Sequence, residues 1–268
     1  MRGLVALALF AVGLAHADPP PDRFPQVAAA YLVDVDGTRL WEANTGRRLP
    51  PASLAKLMTA LLVAESGKPD GVVTVSAAAA AATGTRLGLR QGDRLRASDL
   101  LAATLIQSAN DACRALAQWQ AGSEEAFVAR MNRRAAELGL ADTAYANACG
   151  HDAPGTFTTA RDLAVLASRV MQVPALTALA GTEKLDMRSE AGRRFHIATT
   201  NALLGRVPGV RGVKSGYTPA AGQCVVVFAE RAGTQVLIVL LHARDRWWDA
   251  SAMVEAAFAA PPPSRRVP

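Results

Sequence analysis

Histidine, cysteine, lysine and the aromatics are all scarce in this sequence, and each shortage narrows what the chain can do. The four histidines, His16, His151, His196 and His242, stand far apart and show no zinc-ligand spacing. No metal and no other cofactor is therefore expected. Aromatic residues make up 5% of the chain, and the basic residues behind its net charge of +6 are scattered rather than clustered. Without a basic stripe or interleaved stacking residues, nucleic acid is not an expected partner. Past the N-terminus no apolar run is long enough to cross a bilayer, so no stable membrane anchor is expected. The three cysteines, Cys113, Cys149 and Cys224, allow one disulfide and one free thiol, or three small buried apolar side chains. Charged residues are only 19% of the 268, against 50% hydrophobic, which describes a chain able to bury a core rather than a disordered one.

The shortage of lysine is the most informative. Of 29 basic residues only Lys56, Lys68, Lys184 and Lys214 are lysines. Arginine stays charged at any ordinary pH, whereas lysine can be made neutral by its surroundings, so a lysine in an arginine-rich chain marks a position where that difference counts.

At the N-terminus, Arg2 precedes an apolar run from Leu4 to Leu14, and Ala15-His16-Ala17 gives a small-x-small cleavage pattern. Residues 1–17 read as a signal peptide, which implies export across the inner membrane to the periplasm. Residues 28–33 and 38–42 are strand-like and flank Asp34-Val35-Asp36-Gly37, a strong hairpin signal. From Ser53 the chain turns helical, with Leu54, Leu57, Met58, Leu61 and Leu62 at helical spacing. Gly84, Gly88 and Gly92 suggest turns and short strands. Ser98-Asp99, Ser123 and Thr159 look like helix starts, a further helix follows Asn110, and Gly139 is a stop. Residues 225–228 and 236–240 form a second hairpin candidate around Arg231–Thr234, and residues 248–259 a closing helix. Strands at both ends with helices between predict an α/β (α+β) domain over residues 24–260. Its antiparallel sheet would be built from both termini around a helical insertion. The tail at 261–268, rich in Pro and Arg, continues neither.

Three short segments carry chemistry. In Ser53-Leu54-Ala55-Lys56 the serine and lysine sit three apart, so on a helix their side chains meet. A partly desolvated lysine can be neutral enough to take the proton that keeps serine a weak nucleophile. Ser108-Ala109-Asn110 places a hydroxyl and an amide between two helices, where they could relay a proton and hold a substrate amide. Lys214-Ser215-Gly216-Tyr217 offers an amine and a hydroxyl for a carboxylate, with a glycine that admits close approach. Each alone is weak, as a capped helix, a polar turn or a basic turn would look the same. Their joint occurrence in this order matches the Ser-x-x-Lys, Ser-Asp-Asn and Lys-Thr-Gly set of penicillin-binding proteins and class A β-lactamases.

The wider chain resembles the low-molecular-weight penicillin-binding proteins, the serine-type D-alanyl-D-alanine carboxypeptidases. The similar stretches are Pro51–Thr59, Gln107–Cys113, Met131-Asn132 with Leu138-Gly139-Leu140, Thr158–Asp162, Thr200–Leu204 and Gly209–Thr218. The resemblance implies a D,D-peptidase-like transpeptidase fold, with peptidoglycan stem peptides and β-lactam antibiotics as partners. It implies Ser53 as nucleophile and Lys56 as its base. Ser108 and Lys214 would route a proton to the leaving amine, and Asn110 and Ser215 would position substrate. The backbone N–H groups of Ser53 and Tyr217 would form the oxyanion hole, with Gly216 between the strand's polar groups, and Arg244 would bind the substrate carboxylate.

Endopeptidase action on cross-links would use the same residues. A class A β-lactamase would need a Glu-x-x-Leu-Asn segment to activate its deacylating water. Residues 141–150 read Ala-Asp-Thr-Ala-Tyr-Ala-Asn-Ala-Cys-Gly instead. A non-catalytic wall-binding protein on the same fold would not need every reactive side chain kept. Among the cysteines, Cys113 is expected to pack, while Cys149 and Cys224 could pair.

Overall fold

The computed structural model describes residues 21–260, so the expected signal peptide (1–17) and Pro/Arg tail (261–268) lie outside the described residues. The first hairpin forms where expected: β1 (Ala28–Val35) and β2 (Thr38–Ala43) are joined at Asp36 and Gly37, with φ of 48° and 76°. A two-residue turn of this hand needs positive φ at both positions, which Gly supplies freely and Asp tolerates. The strands β7 (Val210–Thr218), β8 (Gly222–Arg231) and β9 (Thr234–Ala243) complete an antiparallel sheet of order β2-β1-β9-β8-β7. The N-terminal hairpin thus pairs directly with the last strand, and the sheet is built from both termini.

Both faces of that sheet are covered. On one, Tyr31, Val33, Val225, Val227, Ile238 and Leu240 join Met253 and Val254 of the closing helix α8 (Arg246–Ala259) in one buried cluster. On the other, Ala30, Leu32, Val226, Val239 and Leu241 join the helical insertion, including α1 (Lys56–Glu65) and α6 (Ala160–Met171). A strand with no solvent side has no reason to alternate, hence the unbroken apolar runs at 225–228 and 236–240.

Between α1 and α6 lie α2 (Ala77–Ala80), α3 (Ala97–Ala102), α4 (Asn110–Ala121) and α5 (Glu124–Glu137). Ser123 Oγ accepts from Ala126 N at 3.1 Å and Thr159 Oγ1 from Asp162 N at 3.1 Å, so both expected caps are made. The start at Ser98-Asp99 is displaced. Helix α3 begins at Ala97 without a side-chain cap, because the loop that follows α1 satisfies its free N–H groups: Ala97 N reaches Gly71 O at 2.7 Å and Ser98 N reaches Pro69 O at 2.9 Å. The short strands among the glycines are β3 (Val72–Thr74) and β4 (Arg94–Arg96).

The sequence reading passed over α7 (Pro174–Ala180) and the hairpin β5 (Lys184–Arg188) with β6 (Arg194–Ala198). In β6 only Phe195 and Ile197 turn inward, with Arg194, His196 and Ala198 exposed, so the alternating charge hides a short strand that packs by one face.

Candidate active site

The site is assembled on a tight turn. After Pro50-Pro51 the chain enters a 3-10 turn at Ala52–Ala55 that leads into α1, and Ala52 opens it with φ 48°. Ser53 lies in this turn, three residues before the regular helix begins at Lys56. Positive φ at a residue with a Cβ is costly, ~1–3 kcal/mol, and persists only where the surroundings hold it. Two glycine-bearing segments do so. A Cβ on Gly216 of β7 would lie 2.8 Å from Ser53 N and 2.9 Å from Ala52 Cβ, while one on Gly150 would lie 1.8 Å from Ala52 O. The Lys-Ser-Gly strand therefore runs directly against the Ser53 turn, and the 150 loop closes on it too.

Lys56 is 0% exposed. Its Nζ stands 3.0 Å from Ser53 Oγ, 2.7 Å from Asn110 Oδ1 and 2.6 Å from Cys149 O. Burial, followed by repulsion from Lys214, holds its pKa well below the usual lysine value. Two of these three oxygens can only accept. Once the amine is neutral, its two N–H groups go to Asn110 and Cys149, and its lone pair is left facing the one neighbour that can donate, the Ser53 hydroxyl.

Ser108 and Asn110 arrive from the other side. A π turn over Ala103–Gln107 ends in Ser108, which is left-handed at φ 64° and buried, and α4 starts at Asn110. Asn110 Nδ2 donates to Thr83 O at 2.6 Å, which orients its Oδ1 toward Lys56. Asp111, unremarked in the sequence beyond its place in a similar stretch, holds the facing loop. Its buried carboxylate accepts from Leu87 N, Gly88 N and Leu89 N at 2.8–2.9 Å and from Ala112 N at 2.9 Å. An acidic residue in the first turn of a helix was the available signal.

Lys214 is 2% exposed, and its Nζ donates to Ser215 O at 2.9 Å. Burial, with a smaller contribution from the Arg246 charge, brings its pKa down to about 7. Ser215 Oγ lies 3.3 Å from Thr200 Oγ1, and Tyr217 stands at the rim, 64% exposed.

Arg244 is not at this strand. It is exposed, with its backbone N–H on Val27 O at 3.1 Å. Arg246 takes the place instead, half-buried, with Nη1 2.6 Å from Gly216 O. The reason is where β9 ends. The strand stops at Ala243, and Asp245 caps the next helix through Trp247 N and Trp248 N at 3.2 Å, so the first turn of α8 swings residue 246 back over β7. The helix thus starts two residues before the expected 248, and the Asp-Arg-Trp-Trp segment at 245 is the sequence signal for that start.

The pairing of Cys149 with Cys224 is also corrected. Cys149 is bonded to Cys113, with Cα atoms 6.0 Å apart, and Cys224 is a buried free thiol. Cys224 sits on β8 opposite Gly216 with its Sγ 3.5 Å from Ala221 O, whereas Cys113 lies in the first turn of α4, beside the 149 loop. Peptide mapping of non-reduced protein should find the 113 and 149 peptides linked and Cys224 alkylated only after denaturation. A linked 149–224 pair would contradict this. The loop itself is held by Asn147, whose Oδ1 accepts from Cys149 N, Gly150 N and His151 N at 3.2, 2.7 and 3.0 Å. Beside it a cavity of about 300 Å³ is lined by Ala52, Gly150, His151, Asp152 and Ala220 among others. Among the described residues no group of three or more His, Cys, Asp or Glu could hold a metal ion.

Sheet, helical insertion and the turn between them define the fold of the serine D,D-peptidases. The D-alanyl-D-alanine carboxypeptidase of Mycobacterium tuberculosis superposes with a TM-score of 0.84 at 29% identity, covering 92% of this chain and 96% of that one. Over residues 19–245 the sequence matches the D-alanyl-D-alanine carboxypeptidase family, and the chain belongs to it. D-alanyl-D-alanine carboxypeptidase DacF of Bacillus subtilis is 33% identical over 87% of this chain, and the chain spans 62% of that relative's length. Penicillin-binding protein D2 of Listeria monocytogenes, solved in its ampicillin-bound form, has a TM-score of 0.77 and 29% identity over 89% of this chain and 100% of that one.

Proposed function

We propose that residues 24–260 form a serine D,D-carboxypeptidase domain. It removes the terminal D-alanine from peptidoglycan stem pentapeptides, through an acyl-enzyme on Ser53, in the periplasm. The observation that carries this reading is the Lys56 amine, buried and held between two acceptor-only oxygens with its remaining valence on Ser53 Oγ.

Ser53 passes its proton to neutral Lys56 as Oγ attacks the carbonyl between the two D-alanines. The backbone N–H groups of Ser53 and Tyr217 hold the oxyanion; one such donor is worth ~10²–10³ in rate. Lys214, titrating near neutrality, and Ser108 carry a proton to the departing amine. Asn110 and Ser215 position the substrate. Arg246, not Arg244, is the carboxylate-binding candidate. One of its nitrogens is spent on Gly216 O, its Nε is buried without a partner, and the rest of the guanidinium fork remains for an anion. Water then hydrolyses the ester. A β-lactam enters by the same attack on Ser53, but its fragment stays tethered, so release is slow.

Product analysis on purified pentapeptide and on cross-linked muropeptides tests the assignment, with Ser53→Ala as control. Free D-alanine from pentapeptide, absent with the variant, is the expected result. Monomers released from dimers with no D-alanine from pentapeptide would replace it by endopeptidase action, and neither product would end it.

A further inference from the structure

The two oxygens that orient Lys56 come from segments far apart in sequence. Asn110 Oδ1, at 2.7 Å, belongs to the first residue of α4. Cys149 O, at 2.6 Å, belongs to the loop between α5 and α6. The described cysteine bridge joins those same two segments: Cys113 is one turn along α4 from Asn110, and its partner is Cys149 itself, 36 residues away. A separate side-chain bond ties the same loop to α1, with Thr59 Oγ1 donating to Ala148 O at 2.6 Å. Both sulfur-bearing residues are buried, at 0% and 1% exposure. A disulfide placed merely to stabilise a domain could close any loop; this one fixes the separation between the two acceptors of one amine.

We infer that the Cys113–Cys149 disulfide is a positioning device for the Lys56 amine, setting the Asn110 and Cys149 oxygens so that the nitrogen lone pair faces Ser53. This rests on Lys56 acting as the base for Ser53. With the bridge gone, the 147–151 loop is free to drift from α4 by a few tenths of an ångström or more. One N–H then loses its fixed acceptor, the lone pair no longer points in one direction, and water reaches the amine. A small misplacement of a reacting group costs far more rate than binding. The charged and titratable groups around Lys56 are otherwise unaltered: Lys214 on β7, with Arg246 behind it, His151 on the same loop, and the Asp111 carboxylate, which is turned to the 87–89 loop. Hydration of the amine is therefore the change that would move its titration, and it moves it upward, toward an ordinary lysine.

The test uses Cys113→Ala/Cys149→Ala beside wild type and Cys224→Ala, following the rate of acylation by a fluorescent penicillin across pH. Cys224→Ala should behave as wild type. The double variant should acylate ~10–100-fold more slowly while its near-ultraviolet circular dichroism remains native at the assay temperature, with the midpoint of its pH–rate curve displaced to higher pH.

Loss of a disulfide also lowers stability, so a second measurement uses the unaltered chain. A dithiol such as dithiothreitol gives two hydrogens to the bridge, leaving two cysteine thiols and its own cyclic disulfide. Oxidised glutathione then takes them back, releasing two glutathione thiols. The acylation rate should fall on reduction and return on reoxidation. An unchanged rate and midpoint without the bridge would overturn the inference. So would a slower rate that tracks only the lost folded fraction with no displacement of the midpoint. If wild type itself is not acylated, it is the enzymatic reading of Ser53 and Lys56 that fails.

Discussion

Lys56→Arg should lose acylation by penicillin and release of D-alanine by at least ~10³-fold, as severely as Ser53→Ala, although it keeps the positive charge. The substitution separates two uses of a buried cation. If Lys56 served only to hold a positive potential beside Ser53, arginine would supply one at least as persistent, and part of the rate would survive. If it serves as a proton acceptor, arginine fails by its chemistry, because its guanidinium does not deprotonate in proteins. The geometry favours the second use. A permanently charged group would be poorly placed at a fully buried position that also feels the charge of a second buried lysine, Lys214.

Lys56→Met, which keeps length and burial without a lone pair, should match the arginine variant in rate. It should exceed that variant in stability, since it removes the cost of burying charge. The measurements are the acylation rate, D-alanine release and thermal unfolding of the three variants against wild type. Retention of a tenth or more of the rate by Lys56→Arg in folded protein would rule out the proton-acceptor role. In wild type the acid side of the pH–rate curve should report the loss of neutral amine, with the rate falling as pH drops. Because two buried lysines feel each other, the apparent value belongs to the pair and not to Lys56 alone.

How much of this was legible in the sequence depends on how local each feature is. The approach of Ser53 to Lys56 follows from a spacing of three on a helical turn, and the turn at Asp36-Gly37 follows from two residues that accept positive φ. Both need only neighbours in the chain. The sheet order was legible in outline because apolar runs at the two ends of the chain have few other partners. Arg246 was missed by two residues, since its position depends on where β9 ends, and that is settled by the Asp245 cap rather than by the strand's own pattern. The Cys113–Cys149 bridge depends on the path of a loop 36 residues downstream, for which three cysteines offer no preference. The same holds for Asp111: nothing in Asn-Asp-Ala-Cys says that its carboxylate will gather three backbone N–H groups from the 87–89 loop. The stretches similar to the family outside the three motifs turn out to carry such support. Asn132 bonds both N and O of Tyr145, Asp162 receives Asp142 N and Thr143 Oγ1, and Asn201 receives Leu203 N.

Among the glycines of the described residues, Gly150→Ala should be the most damaging, and it should damage stability and acylation together. Gly150 has φ 83°, and a Cβ there would meet Ala52 O at 1.8 Å, Ala52 C at 2.5 Å and Ser53 N at 3.1 Å. These are backbone atoms of the turn that carries the nucleophile, so no flexible side chain can make room. A left-handed alanine costs ~1–2 kcal/mol, and forcing a methyl into packed surroundings adds ~1–3 kcal/mol, giving ~2–5 kcal/mol in all. For a domain of this size that corresponds to a fall in Tm on the order of 10 °C.

The strain has two outlets, and each reaches the chemistry. Moving the Ser53 turn displaces Oγ and the N–H proposed for the oxyanion; moving the loop carries Cys149 O away from Lys56 Nζ. Gly155→Ala in the same loop is the matched control, because its φ is 81° but nothing lies within 4 Å of the added methyl. It should lose only the backbone contribution and keep the wild-type acylation rate. Thermal unfolding and penicillin acylation of the two variants decide the matter. Equal Tm values with equal rates would mean that the Gly150 loop does not press on the Ser53 turn, and that Ala52 is held in its left-handed conformation by something else.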